Sequence, residues 1–235
     1  MAFLLLAALL LCTGLVVVFW SRHVVLRREA YIRAVELPMG LFDRLQKQHP
    51  TLSAKDCQLV AHGLRQFFLA HLKSGRAYVS MPSQVADDLW HEFILHTRTY
   101  DAFCRKAFGR FLHHTPAAAL RGNRQSNAGL RRCWWYVCKE ENINPRKATR
   151  LPLLFALDAK LHITGGFYYL ADCVLARQKE DGASGSSSIY CGGDFADASM
   201  DGSLDGFGDG STGGAAADAS GSDGCGGGGC GGDGG

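Results

Sequence analysis

At 235 residues and 25.4 kDa the chain is long enough for one ordinary domain with extensions. Its 47% hydrophobic content permits a packed core and excludes wholesale disorder, a collagen-like fibre and a multi-pass transporter. The net charge of +3 hides a gradient: residues 181–235 hold nine Asp, twenty of the 29 Gly and no Lys or Arg, so residues 1–180 carry +12.

Residues 2–20 contain no charged side chain. At ~1.5 Å per residue such a helix nearly spans a ~30 Å hydrocarbon core. A cleaved signal peptide needs a basic start and a small-residue cleavage site. Here Met1-Ala2-Phe3 has no basic side chain, the run ends in Phe19-Trp20, and Cys12 follows two leucines, a poor lipoprotein site. The expectation is an uncleaved transmembrane anchor over residues 1–21. Arg22, His23, Arg27, Arg28 and Arg33 follow it, which by the positive-inside tendency places the C-terminal side in the cytoplasm. A helix over residues 22–37 then lies on anionic headgroups or packs as an amphipathic helix.

The middle of the chain reads as helical. Residues 53–71 open on Ser53-Ala-Lys-Asp56, a capping-box pattern, and carry Val60, Leu64, Phe67 and Phe68 at helical spacing up to a stop at Gly75. Met81-Pro82-Ser83 predicts a turn with Ser83 as N-cap. The same period then runs from Val85 through Leu89, Trp90, Phe93, Tyr100 and Cys104 towards a stop at Gly109. Further helices are predicted over residues 127–142 and 151–161, the latter started by Pro152. Residues 163–173 fit a strand, a hairpin or an irregular loop. No long β alternation appears. The fold class is mainly α: a single transmembrane helix, a compact helical cytoplasmic domain over residues 22–180, and a disordered Gly-rich tail over residues 181–235.

The densest chemistry lies between Asp87 and Pro116. On a helix Asp87 and Asp88 fall four and three residues before His91, so either carboxylate shares its face. A carboxylate in that position orients a metal-binding imidazole or becomes a ligand itself. If the chain reverses after Gly109, His113 or His114 returns towards His91. Asp87, Asp88, His91, His113 and His114 are therefore the candidate metal ligands, for zinc or iron. His96 lies about 140° round the helix from His91 and faces elsewhere. The competing reading of His91 is a structural histidine beside Trp90. General acid–base catalysis is a third. His91-Glu92 lacks the second histidine four residues on that a zinc metalloprotease requires.

This stretch carries a resemblance. Asp87-x-x-Trp90-His91-x-Phe93-Ile94-Leu95, then Tyr100-x-x-Phe103-Cys104, Gly109-x-Phe111 and His113-His114-x-Pro116, is similar to the glycine-rich domain-containing protein-like family. The run Leu-Pro-Leu-Leu-Phe-Ala-Leu-Asp over residues 151–158 and the Gly-Gly-Phe over 165–167 extend it to roughly residues 80–175. The resemblance implies a bacterial membrane-associated protein with a Gly-rich tail, and it implies no reaction; with the anchor, the expected location is the bacterial inner membrane.

The nine cysteines, an odd number in a reducing compartment, read as thiols or ligands. Cys104 is a ligand, a nucleophile or packing. Cys133 and Cys138 are five residues apart and diverge on a helix, which fits packing. Cys225 and Cys230 flank four glycines, so both thiols can reach one soft ion or each other. Three functions follow. The first is a non-enzymatic, membrane-anchored binding or scaffold module for a protein partner or a metal. The second is a metal-dependent enzyme centred on His91. The third is a thiol-redox role for Cys225 and Cys230. Dispersed basic residues and the lack of a recognised module speak against nucleic acid.

Overall fold

The apolar N-terminal run and the basic segment after it form one helix, α1 (Ala2–Ala34), in the computed structural model, which describes residues 2–114, 124–171, 190–191 and 195. No break falls at residue 21, where the sequence reading separates anchor from body. Ser21 could have capped a new helix, but its hydroxyl donates to the Val18 carbonyl at 2.8 Å and continues the old one. α1 is long and apolar enough to cross a membrane, and none of its apolar window is buried against the rest of the protein. That excludes a core helix. Its last turns dock instead: Ile32 is fully buried and Tyr31 lies 6.0 Å from the Phe103 ring. Lys73 bridges Glu29 at 3.3 Å and Glu140 at 2.8 Å, and Arg33 pairs with Glu140 as well. The end of α1, from Arg28 on, therefore packs on the body, while residues 22–27 stay largely exposed.

Among the described residues the body is built of α2 (Leu41–Gln48), α3 (Ala54–Lys73), α4 (Gln84–Leu95), α5 (Thr97–Phe108), α6 (Arg124–Glu140) and α7 (Leu153–Lys160). α3 is the central helix, in contact with α1, α2, α4, α6 and α7. It starts as its sequence dictates. Ser53 Oγ accepts from the Asp56 amide at 3.3 Å, and Asp56 Oδ2 accepts from the Ser53 amide at 2.9 Å. Its Gly63 lies so close to α7 that a Cβ there would sit 2.5 Å from Leu157 Cδ1.

The periodic run over residues 85–109 is two helices, with His96 ending α4 and opening α5. The bend has a packing reason. It carries Phe103 and Phe108 back to Phe68, with ring centroids 4.8 and 6.1 Å away, where a straight helix would run past the core. α2 is not among the elements predicted from the sequence. It clamps α4 through polar side chains: Arg44 and Gln48 each reach Glu92 at 3.2 Å.

Pro152 is the N-cap of α7, as expected of a proline at a helix start. β1 (Tyr169–Leu170) and β2 (Tyr190–Cys191) pair in parallel, Tyr169 with Tyr190 and Leu170 with Cys191. Phe195 is buried against Trp134, with centroids 5.5 Å apart, so the core reaches past residue 180. The glycine-rich segment beyond it, the Cys225 and Cys230 pair and Cys173 lie outside the described residues.

Candidate metal centre and cavity

The site is built on the N-terminal end of α4, which is held by a buried carboxylate from α7. Asp158 is 1% exposed. Its Oδ1 accepts from Ser83 Oγ at 2.7 Å and from the Val85 amide at 3.2 Å. Its Oδ2 accepts from the Gln84 amide at 2.7 Å and the Phe167 amide at 2.9 Å. A helix N-terminus is the place where such a charge is stabilised without a cation. Gly166 permits the approach, since a Cβ there would lie 2.7 Å from Asp158 Cβ. The last residue of the Leu-Pro-Leu-Leu-Phe-Ala-Leu-Asp run and the Gly-Gly-Phe segment are thus one knot that fixes where α4 begins.

Asp87 and His91 are one helical turn apart on α4, with His91 Nδ1 3.9 Å from Asp87 Oδ2. The loop after α5 brings the third residue. Gly109 ends α5 with φ +77, and Tyr100 then ties the loop down. Its hydroxyl accepts from Trp90 Nε1 at 3.1 Å and donates to the Leu112 carbonyl at 2.6 Å. His114 consequently reaches α4: its Nε2 is 3.0 Å from Asp87 Oδ1. Its ring centroid is 4.2 Å from that of His91 and 4.7 Å from that of Trp90. One ligand atom from each of Asp87, His91 and His114 lies within 4.8 Å of the others.

The other sequence candidates are elsewhere. Asp88 turns to α2, where His49 Nε2 is 2.8 Å from its Oδ2, and Gln84 donates to its Oδ1 at 2.9 Å. His113 is exposed and packs on Phe111, with centroids 4.8 Å apart. Cys104 is fully buried on α5, and burial pushes its thiol up, so it is packing rather than a thiolate. Cys133 and Cys138 are also fully buried, and burial pushes Cys138 up to about 12. Trp90 is 4% exposed and braces His114.

Beside Asp87 and His114 opens a cavity of about 620 Å³. It lies within the size range of small-molecule sites. Phe67, Trp90, Val79 and Met81 supply apolar wall, and His113 stands at its edge. His91 is not among its lining residues and is 48% exposed on the outer side. His91 is therefore neither enclosed by Trp90, as a structural histidine would be, nor a wall of the cavity, as a catalytic histidine would be. His71 also lines the cavity. Burial, aided by nearby Arg110 and Arg76, lowers its imidazole to about 4, so it is neutral at pH 7. Its Nδ1 is 3.0 Å from the Ala77 carbonyl and carries the proton, while Nε2 has no protein partner.

The sequence reading missed His49, His71 and Asp158. The first two are single histidines with no local carboxylate spacing. Asp158 sits inside a recognisable run, but three of its four donors are more than 70 residues away.

No curated protein and no solved structure matches this chain. A family model described as UCP032817-like matches residues 27–195, from the docked end of α1 to the buried Phe195. That match is wider than the resemblance over residues 80–175 and does not carry its glycine-rich description. The chain belongs to the UCP032817-like family.

Proposed function

We propose that this protein is a membrane-anchored helical module that binds a divalent transition metal, zinc or iron, through Asp87, His91 and His114. The observation that carries the reading is the convergence of three ligand atoms, from two elements, within 4.8 Å. Metal–ligand bonds of ~2.0–2.2 Å require these atoms to draw closer. The half-exposed His91 has the freedom to rotate inwards. Two imidazoles and one carboxylate suit zinc or ferrous iron, and leave coordination positions open.

Residues 2–20 of α1 span the bilayer, and the arginines after them keep the body on the cytoplasmic side. Because α1 runs unbroken into the body, the metal centre is held at a fixed distance from the membrane. A second reading, a metal-dependent enzyme, is favoured by the cavity that begins at Asp87 and His114, where a substrate would meet the open positions.

The test is metal content. The full chain, purified in detergent without chelators, is analysed by elemental mass spectrometry beside His91→Ala and Asp87→Asn. Near-stoichiometric zinc or iron in the parent, lost in folded variants, is expected. A parent that holds neither metal, even after titration with each, overturns the proposal.

A further inference from the structure

The cavity carries positive charge as well as apolar wall. Arg76 and Arg110 line it together with His71. Both arginines follow a helix-ending glycine, Gly75 (φ +71) and Gly109 (φ +77). Each guanidinium spends part of its donor set on a helix-end carbonyl: Arg76 on Phe108 at 3.1 Å, and Arg110 on Arg76. Among the described residues no carboxylate forms a salt bridge with either. A guanidinium has five N–H donors, so most of each fork remains available. Their charge is already felt inside, because both act to lower His71. Arg28 of α1 joins them, its guanidinium standing where a Cβ on Gly109 would be. The cavity lining thus holds two arginines, with Arg28 beside Gly109 next to them, and Phe67 and Trp90 supply apolar wall.

We propose that this cavity binds an amphiphilic organic anion, with a phosphate or carboxylate head at Arg76 and Arg110 and an apolar body against Phe67 and Trp90. Two guanidiniums on one rim fit the planar, multidentate recognition of such heads. A volume of about 620 Å³ holds a body far larger than an inorganic ion. His71, neutral at pH 7, also lines the cavity and adds no second positive charge to compete with the arginines for the head. The source is a soluble acid or a membrane lipid. Arg28 lies eight residues after Trp20 on one helix, about 12 Å along its axis, and its guanidinium stands beside Gly109, the neighbour of Arg110, so these arginines are close to the headgroup layer in the proposed topology.

The experiment uses the full chain in phosphatidylcholine nanodiscs with a chelator present, which separates its outcome from that of the metal proposal. Binding of hexyl phosphate is measured by calorimetry against hexan-1-ol and inorganic phosphate. Hexyl phosphate is expected to bind tighter than both. Arg110→Gln and Arg76→Gln each weaken it about tenfold, a loss of ~1.4 kcal/mol. Arg98→Gln, an exposed arginine on α5, leaves it unchanged. Met81→Trp, which fills the cavity and keeps both guanidiniums, abolishes binding. Phosphatidic acid in the nanodisc lowers the apparent affinity by competition if the occupant is a lipid. No such competition assigns the site to a soluble acid. Equal binding by parent and both arginine variants, equal loss in Arg98→Gln, or no binding of hexyl phosphate overturns the proposal.

Discussion

His114 Nε2 meets Asp87 Oδ1 at 3.0 Å although 27 residues separate them. The contact joins the loop after α5 to the first turn of α4, and the His114 side chain is only 12% exposed there. His91, a turn further along α4, is 48% exposed. The two histidines of the proposed metal centre therefore differ in what they do for the fold. Replacing His114 by Ala leaves Asp87 without that donor and should cost about 1–3 kcal/mol. Replacing His91 by Ala should stay within ~0.5 kcal/mol. Urea denaturation of the full chain in detergent measures both. A large loss in His91→Ala would return that residue to a structural role and remove the stable variant that the metal test needs.

The knot around Asp158 should be the most sensitive polar point in the body. Four donors converge on its carboxylate, three of them backbone amides. Asp158→Ala strands those amides and should cost about 3–5 kcal/mol. Gly166→Ala pushes a methyl group to 2.7 Å from Asp158 Cβ and should cost ~1–3 kcal/mol. The two act on one contact, so the double variant should lose less than the sum. Additive losses in thermal or urea unfolding would show that Gly166 and Asp158 stabilise the body independently.

Local physics was legible in the sequence, and distant partnership was not. Ser53 and Asp56 are three residues apart, so the capping box of α3 could be read directly. The pairing of Asp87 with His91 followed from helical spacing in the same way. A turn after Gly109 was also foreseeable, since a glycine with φ +77 ends the helix. Which of His113 and His114 comes back was not, because that depends on Tyr100 holding the Leu112 carbonyl. The same limit hid the partner of Asp88, His49, which comes from a helix 39 residues earlier. The break at His96 escaped because apolar period alone cannot tell a straight helix from two that keep phase across a bend.

His71 gives the body a sign-defined pH dependence. Its folded imidazole titrates near 4 because burial disfavours the cation, against an ordinary 6.5. Between those values the unfolded chain binds a proton that the folded chain does not. Stability from this group is full above pH 6.5 and declines as the pH falls towards 4, by up to about 3 kcal/mol. His71→Asn keeps a donor for the Ala77 carbonyl and removes the titration. Its stability should therefore vary less than that of the parent between pH 6.5 and 4, whatever constant offset the lost ring imposes. Parallel curves for parent and variant in guanidinium titrations would mean that His71 charges freely in the folded state.

Glu140 decides how firmly α1 is joined to the body. Burial alone would raise its carboxyl, but hydrogen bonds from Arg33 and Lys73 outweigh that and hold it below the ordinary 4.5. A carboxyl depressed on folding stabilises above its unfolded value, and the contribution is lost as pH falls through the folded one. Arg33 is 46% exposed, so solvent screens the pair and the network should contribute only ~1 kcal/mol. That is enough to matter locally, because the docked turns of α1 bury little besides Ile32. Glu140→Gln should leave the midpoint of global unfolding nearly unchanged at pH 7 and accelerate amide exchange in residues 24–34 several-fold. At pH 3 the difference between parent and variant should shrink, since Glu140 approaches its own protonation. Equal exchange at pH 7 would place the hold on α1 in Ile32 and Tyr31 alone, so that α1 stays joined to the body through apolar contact rather than through charge.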